Sequence, residues 1–65
     1  MKILLNGEPA EVAAATLAAA LDELGYGEGP FATALNRDFV PAGERPQTRL
    51  TEGDAIEIIA PMQGG

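Results

Sequence analysis

Neither cysteine nor histidine occurs among the 65 residues of this chain, and that absence leaves one route to a stable fold. A domain this short buries only roughly 60% of the surface its unfolded chain exposes, and many of the smallest add disulfides or a structural zinc to compensate. Both staples are built mainly from thiolate and imidazole, so neither is available here. Stability must come from one packed core, and with 46% apolar but only 5% aromatic residues that core must be mostly aliphatic. The same absence removes thiolate nucleophiles and imidazole acid–base catalysis from the chemistry on offer. A chain this small also lacks the deep interior that an enclosed cofactor would need.

The hydrophobic pattern predicts how that core is assembled. Ala55-Ile56-Glu57-Ile58-Ile59-Ala60 is the strongest strand signal, with Ile56 and Ile58 on one face and Glu57 and Ile59 on the other. Pro61, which has no N–H to donate, ends it. At the other end of the chain, Lys2-Ile3-Leu4-Leu5 runs into Asn6-Gly7, the dipeptide best suited to the two positive φ values of a type I′ hairpin. A second strand should return through Pro9 to Val12, with Met1, Ile3 and Leu5 inward and Lys2 and Leu4 outward.

Between these strands, Thr16 can cap a helix in which Leu17, Ala20, Leu21 and Leu24 form one stripe, and Gly25 can terminate it. At about 12 Å that helix is too short to persist alone, so it must pack on the sheet. Residues 25–30 read as a loop, Phe31 to Leu35 as a third strand, Asn36-Arg37-Asp38 as a turn, and Phe39-Val40-Pro41 as extended chain. Pro41, Gly43 and Pro46 predict irregular surface turns, with a brief edge strand near Thr48 to Leu50 and a turn over Thr51 to Asp54. The order implies an α+β fold of the β-grasp, or ubiquitin-like, kind. It would have a mixed sheet of four to five strands, one main helix across it, and the last strand beside the first. Residues 1–60 would form the domain and residues 61–65 a flexible tail.

Ten acidic against four basic residues give a net charge of -6, which disfavours nucleic acid and anionic membranes and favours partners with a positive face. No stretch has the roughly 20 apolar residues of a membrane span, and the opening apolar run is too short for a secretory signal, so the cytoplasm is the expected compartment. The carboxylates are spread over turns and solvent faces instead of converging, which argues against an acid–base enzyme. Gly25-Tyr26-Gly27-Glu28-Gly29 follows a helix instead of leading into one and lacks the lysine of a phosphate loop. Arg37, Arg45 and Arg49 could gather as a rim contact for a protein partner. What remains is Ala60-Pro61-Met62-Gln63-Gly64-Gly65. Glycines without a Cβ can pass through a narrow channel and leave a terminal carbonyl unshielded. An ionised α-carboxylate is a poor acyl donor, so a partner enzyme would have to activate it.

The Lys2-Ile3-Leu4-Leu5-Asn6-Gly7 opening, Thr16-Leu17, Asn36, Gly53-Asp54 and above all the Ala60-Pro61-Met62-Gln63-Gly64-Gly65 ending resemble the ThiS family of bacterial sulfur carriers in thiamin biosynthesis. The resemblance implies that a ThiF-like enzyme adenylates the terminal carboxylate of Gly65 with ATP. A persulfide-type sulfur donor would convert the product to a thiocarboxylate, and thiazole synthase (ThiG-like) would take the sulfur. It implies a carrier, not an enzyme, with no cofactor bound by the chain itself, and a monomer when free. Gly64, Gln63, Met62 and Pro61 would be partner contacts by the same resemblance. The strand pattern independently adds Ile59 as the apolar centre of a docking surface. Two alternatives stand beside this one: a MoaD-like carrier for molybdopterin synthesis, and a ubiquitin-like interaction or modifier domain. The loop over residues 25–30 departs most from the family pattern.

Overall fold

The structure, a computed structural model, describes residues 1–27 and 29–60. Five strands and one α-helix follow in the order β1 (Lys2–Leu5), β2 (Glu8–Glu11), α1 (Leu17–Glu23), β3 (Ala32–Leu35), β4 (Asp38–Val40) and β5 (Ala55–Ile59), with a 3-10 helix at Ala42–Gln47 before β5. The strands form one sheet in the order β2-β1-β5-β3-β4. Only β1 and β5 are parallel, and every other neighbouring pair is antiparallel. This is the β-grasp arrangement, with the last strand at the centre of a mixed sheet.

Two hairpins supply the outer strands, and each turns on an asparagine. Asn6 and Gly7 have φ of 50° and 84°, while Asn36 and Arg37 have φ of 52° and 74°. Consecutive positive φ values are those of a type I′ turn, whose twist matches the flanking strands, and asparagine tolerates them better than most residues. The same two residues also fasten β5. The Asn36 N–H donates to the Ala55 carbonyl at 2.7 Å and its side-chain Oδ1 accepts from the Ala55 N–H at 2.9 Å. Asn6 repeats the arrangement at the far end, donating its N–H to the Ile56 carbonyl at 2.9 Å and accepting the Ile58 N–H on Oδ1 at 2.8 Å. The central strand is thus bracketed diagonally by two turn residues from opposite sides.

Helix α1 begins where the sequence predicts, with the Thr16 hydroxyl accepting from the Ala19 N–H at 3.3 Å. It ends in a Schellman motif: Gly25, at φ 93°, donates to the Asp22 carbonyl and Tyr26 to that of Leu21. Its stripe of Leu17, Ala20 and Leu21 is buried and meets Ile3, Val12, Val40, Leu50 and Ile56 in one core cluster. The alanines before the helix are held by its last residue, because the Glu23 carboxylate accepts from the Ala13 and Ala14 N–H groups.

Three expectations need correction. The second, third and last strands are each shorter than their sequence patterns, ending at Glu11, starting at Ala32 and ending at Ile59. Residues 42–47 form a 3-10 helix instead of irregular turns, with Pro46 inside it, and the edge strand near Thr48 to Leu50 reduces to a single bridge from Arg49 to Thr16. Arg45 does not join a surface rim. It is buried under the 3-10 helix, donating from Nε to Thr33 Oγ1 at 3.0 Å and from Nη2 to the Phe31 carbonyl at 2.7 Å, with its guanidinium 4.7 Å from the centre of the Phe31 ring. Thr33 Oγ1 in turn donates to the Val40 carbonyl at 3.0 Å, so this buried polar cluster ties the 3-10 helix to β3 and β4.

Candidate functional site

The pleat divides the sheet into a covered and an open face. Ile3, Leu5, Ile56, Thr33 and Val40 share the face beneath α1, as the register Leu5↔Ile56, Ile56↔Leu35 and Thr33↔Val40 requires. The other face carries Leu4, Ala55, Glu57, Ile59, Ala32, Ala34 and Phe39. Its large apolar side chains are left in solvent: Leu4 is 40% exposed, Ile59 60% and Phe39 69%. Single exposed apolar residues are ordinary, but three large ones on one face of a 65-residue protein make a patch suited to a protein partner.

Ile59 sits where the open face meets residue 60, the last described residue of the chain. Opposite it in the register is Ala32, and Pro30, Phe31, Ala32 and Ile59 line a shallow, nearly apolar depression. Glu57, also exposed, places a carboxylate in the same face beside Ala34. The face is therefore apolar with an acidic centre, which complements an apolar partner surface carrying a cation. Leu4 and Phe39 flank β5 on its two sides, on β1 and β4. Sequence alternation places Leu4 outward but cannot join it to Phe39, because that depends on which strands become neighbours.

Below the face, Asp54 fixes the start of β5. It is a buried carboxylate, Oδ2 accepting from the Thr51 N–H at 2.8 Å and Oδ1 from the Asn36 amide at 3.1 Å and the Thr51 hydroxyl at 3.0 Å. Burial by itself pushes its pKa up, but these three hydrogen bonds outweigh that and hold it below the ordinary carboxylate value. Asp54 is thereby a structural anchor and departs from the expectation that all the carboxylates are solvated.

A cleft of about 560 Å³ opens elsewhere, between α1 and the 3-10 helix, with Ala18, Leu21, Gly29, Phe31 and Arg45 in its wall. Its wall holds Arg45, which the sequence offers as a rim contact, but not Ile59. Among the described residues no group of three or more Asp or Glu side chains is arranged to hold a metal, and no helix is long and apolar enough to cross a membrane. Of the six site residues proposed from sequence, only Ile59 is described, and it is exposed as expected. Pro61, Met62, Gln63, Gly64 and Gly65 lie outside the described residues, as does the proposed boundary between a domain of residues 1–60 and a tail of 61–65.

Comparisons with known proteins agree on one family. The ThiS family model matches residues 3–65. A sulfur carrier protein ThiS from Thermus thermophilus is 38% identical over 63 residues, covering 97% of this chain and 98% of that protein. A thiazole synthase from Paramagnetospirillum magneticum is 36% identical over all of this chain, which spans only 20% of that enzyme's length. Among solved structures, the crystal structure of a thiamine biosynthesis protein (ThiS) from Geobacter metallireducens superposes with a TM-score of 0.84 at 26% identity, covering all of both chains. The solution structure of a thiamine biosynthesis protein from the same organism gives 0.77 over all of this chain and 88% of the other. With the β-grasp sheet, the strand leading toward Gly64-Gly65 and these matches together, the chain belongs to the ThiS family, the sulfur carriers of thiamine biosynthesis.

Proposed function

We propose that this carrier bears its sulfur as a thiocarboxylate on Gly65. The observation that supports this reading best is the family match, which runs through residue 65 and so includes the Gly64-Gly65 pair. In the first step the Gly65 carboxylate attacks the α-phosphorus of ATP on a ThiF-like enzyme, forming an acyl-adenylate and releasing pyrophosphate. The terminal sulfur of a persulfide donor then attacks the acyl carbon and AMP leaves. A second thiol cleaves the resulting acyl persulfide at its sulfur–sulfur bond, leaving the thiocarboxylate and a disulfide. The carrier's own residues catalyse none of this; their part is to dock and to deliver the terminus, and the ATP belongs to the partner enzyme.

Docking falls to the open face, with Ile59 at its edge nearest the tail and Leu4 and Phe39 beyond it. Pro61, Met62, Gln63 and Gly64 would then line the partner's channel. A thiazole synthase is the proposed acceptor, because a segment similar to this whole chain forms a fifth of one such enzyme. An ATP-dependent sequence of this kind belongs in the cytoplasm. The test is to incubate the protein with a ThiF-like enzyme, ATP and a persulfide source and record the intact mass. Oxygen-to-sulfur exchange at the terminus, reversed by hydrolysis and so distinct from methionine oxidation, supports the reading. Conjugates of Gly65 with lysines of other proteins would replace it with a modifier role.

A further inference from the structure

We infer that Asn6 is a positioning residue for the reactive terminus, acting through the last rung of the sheet; this rests on the carrier function proposed above. Strand β1 pairs with β5 only through Leu4↔Ala55 and Leu5↔Ile56 and then turns away at Asn6. Strand β5 continues to Ile59. On its β3 side the ladder keeps pace, pairing Ile58 with Thr33 and Ile59 with Ala32. On its β1 side the backbone has gone, and the Ile58 N–H is received by the Asn6 side chain, Oδ1 to N 2.8 Å. The amide thus adds one rung beyond the end of β1. The left-handed φ of 50° at Asn6 accompanies this arrangement, and asparagine is one of the few side chains that both tolerates that conformation and offers an acceptor.

The rung lies two residues before the chain leaves the described structure and one before Ile59, the docking residue nearest the terminus. Without it, β5 beyond Ile56 is held on one edge only, and its end can swing about the β3 ladder. That swing moves Ile59 relative to Leu4 and Phe39 and redirects residues 61–65 relative to the docked face. The role is one of positioning, because the Asn6 side chain acts on the Ile58 N–H near the end of β5, the strand from which the terminus continues.

Two variants separate this role from turn stability. Asn6→Gly keeps a residue at ease with positive φ and removes the acceptor, whereas Asn6→Asp keeps an acceptor oxygen in the same place. With a ThiF-like enzyme and ATP, Asn6→Gly should lower kcat about threefold to tenfold with KM within about twofold, because docking survives while fewer docked complexes present the terminus productively. Asn6→Asp should restore most of the loss. In the free protein, amide exchange at Ile58 should quicken in Asn6→Gly, while Glu57 and Ile59, whose N–H groups face β3, keep their protection. An unchanged kcat, or a loss that Asn6→Asp fails to rescue, overturns the positioning role, and unchanged exchange at Ile58 overturns the rung itself. If the unaltered protein is not adenylated at all, the carrier reading fails, and the exchange measurement alone decides whether Asn6 holds the end of β5.

Discussion

At the scale of single residues, the polar side chains of this protein act as fasteners. Thr33 Oγ1 accepts from Arg45 and donates to the Val40 carbonyl, with the residue wholly buried. Thr33→Val preserves shape but strands the buried Arg45 Nε–H, so unfolding in urea should show a loss of about 1 to 3 kcal/mol. Asp54 makes a second prediction. Its folded pKa lies below that of the unfolded chain, so its contribution is full above the unfolded value of about 3.9 and is lost as pH falls through the lower folded value. Urea midpoints measured from neutral pH downward should therefore drop in acid, and Asp54→Asn should flatten that drop while starting from a lower plateau. None of these pairings is legible in the sequence. Arg45 reads as one surface cation among three, and only the approach of Phe31 and Thr33 from β3 and the residue before it makes a buried site for it.

Among the elements, β5 is the most legible and carries the clearest contrast. Ile56 and Ile59 lie in one strand, yet one is wholly buried and the other is 60% exposed. Ile56→Ala should cost about 2 to 5 kcal/mol through the cavity it leaves, a large share of the stability a domain this size possesses. Ile59→Ala should leave thermal unfolding within about 0.5 kcal/mol of the unaltered protein and weaken association with a ThiF-like partner, which calorimetry of both would show. Period-two alternation along the sequence is enough to assign the two isoleucines to opposite faces. The helix is equally plain, since its cap, stripe and terminating glycine agree with one another. The 3-10 helix is not, because Pro41, Gly43 and Pro46 signal a break in longer elements and say nothing about a short one held by a buried arginine. The open face falls between: alternation gives each strand's outward residues, but that Leu4, Ile59 and Phe39 share one face follows only from the order and register of β2-β1-β5-β3-β4.

For the whole molecule, the folded body and the reactive end are proposed to be separable. Deleting Gly64 and Gly65 should leave the urea midpoint unchanged, while mass spectrometry finds no thiocarboxylate; a marked loss of stability would instead make those residues part of the fold. The placement of β5 adds a condition in time. During synthesis β1 and β2 emerge first and β3 and β4 later, as two separate hairpins, and a lone two-stranded hairpin is marginal in water. The strand that must lie between them is the last of the five to leave the ribosome, and its pairing with β1 bridges about fifty residues of sequence, as the Leu4↔Ala55 register shows. The sheet can therefore close only when the segment carrying Ile59 is in place, and residues 61–65 emerge just behind it. A chain stalled or misfolded earlier lacks the central strand, and with it the continuous open face that the proposed docking requires.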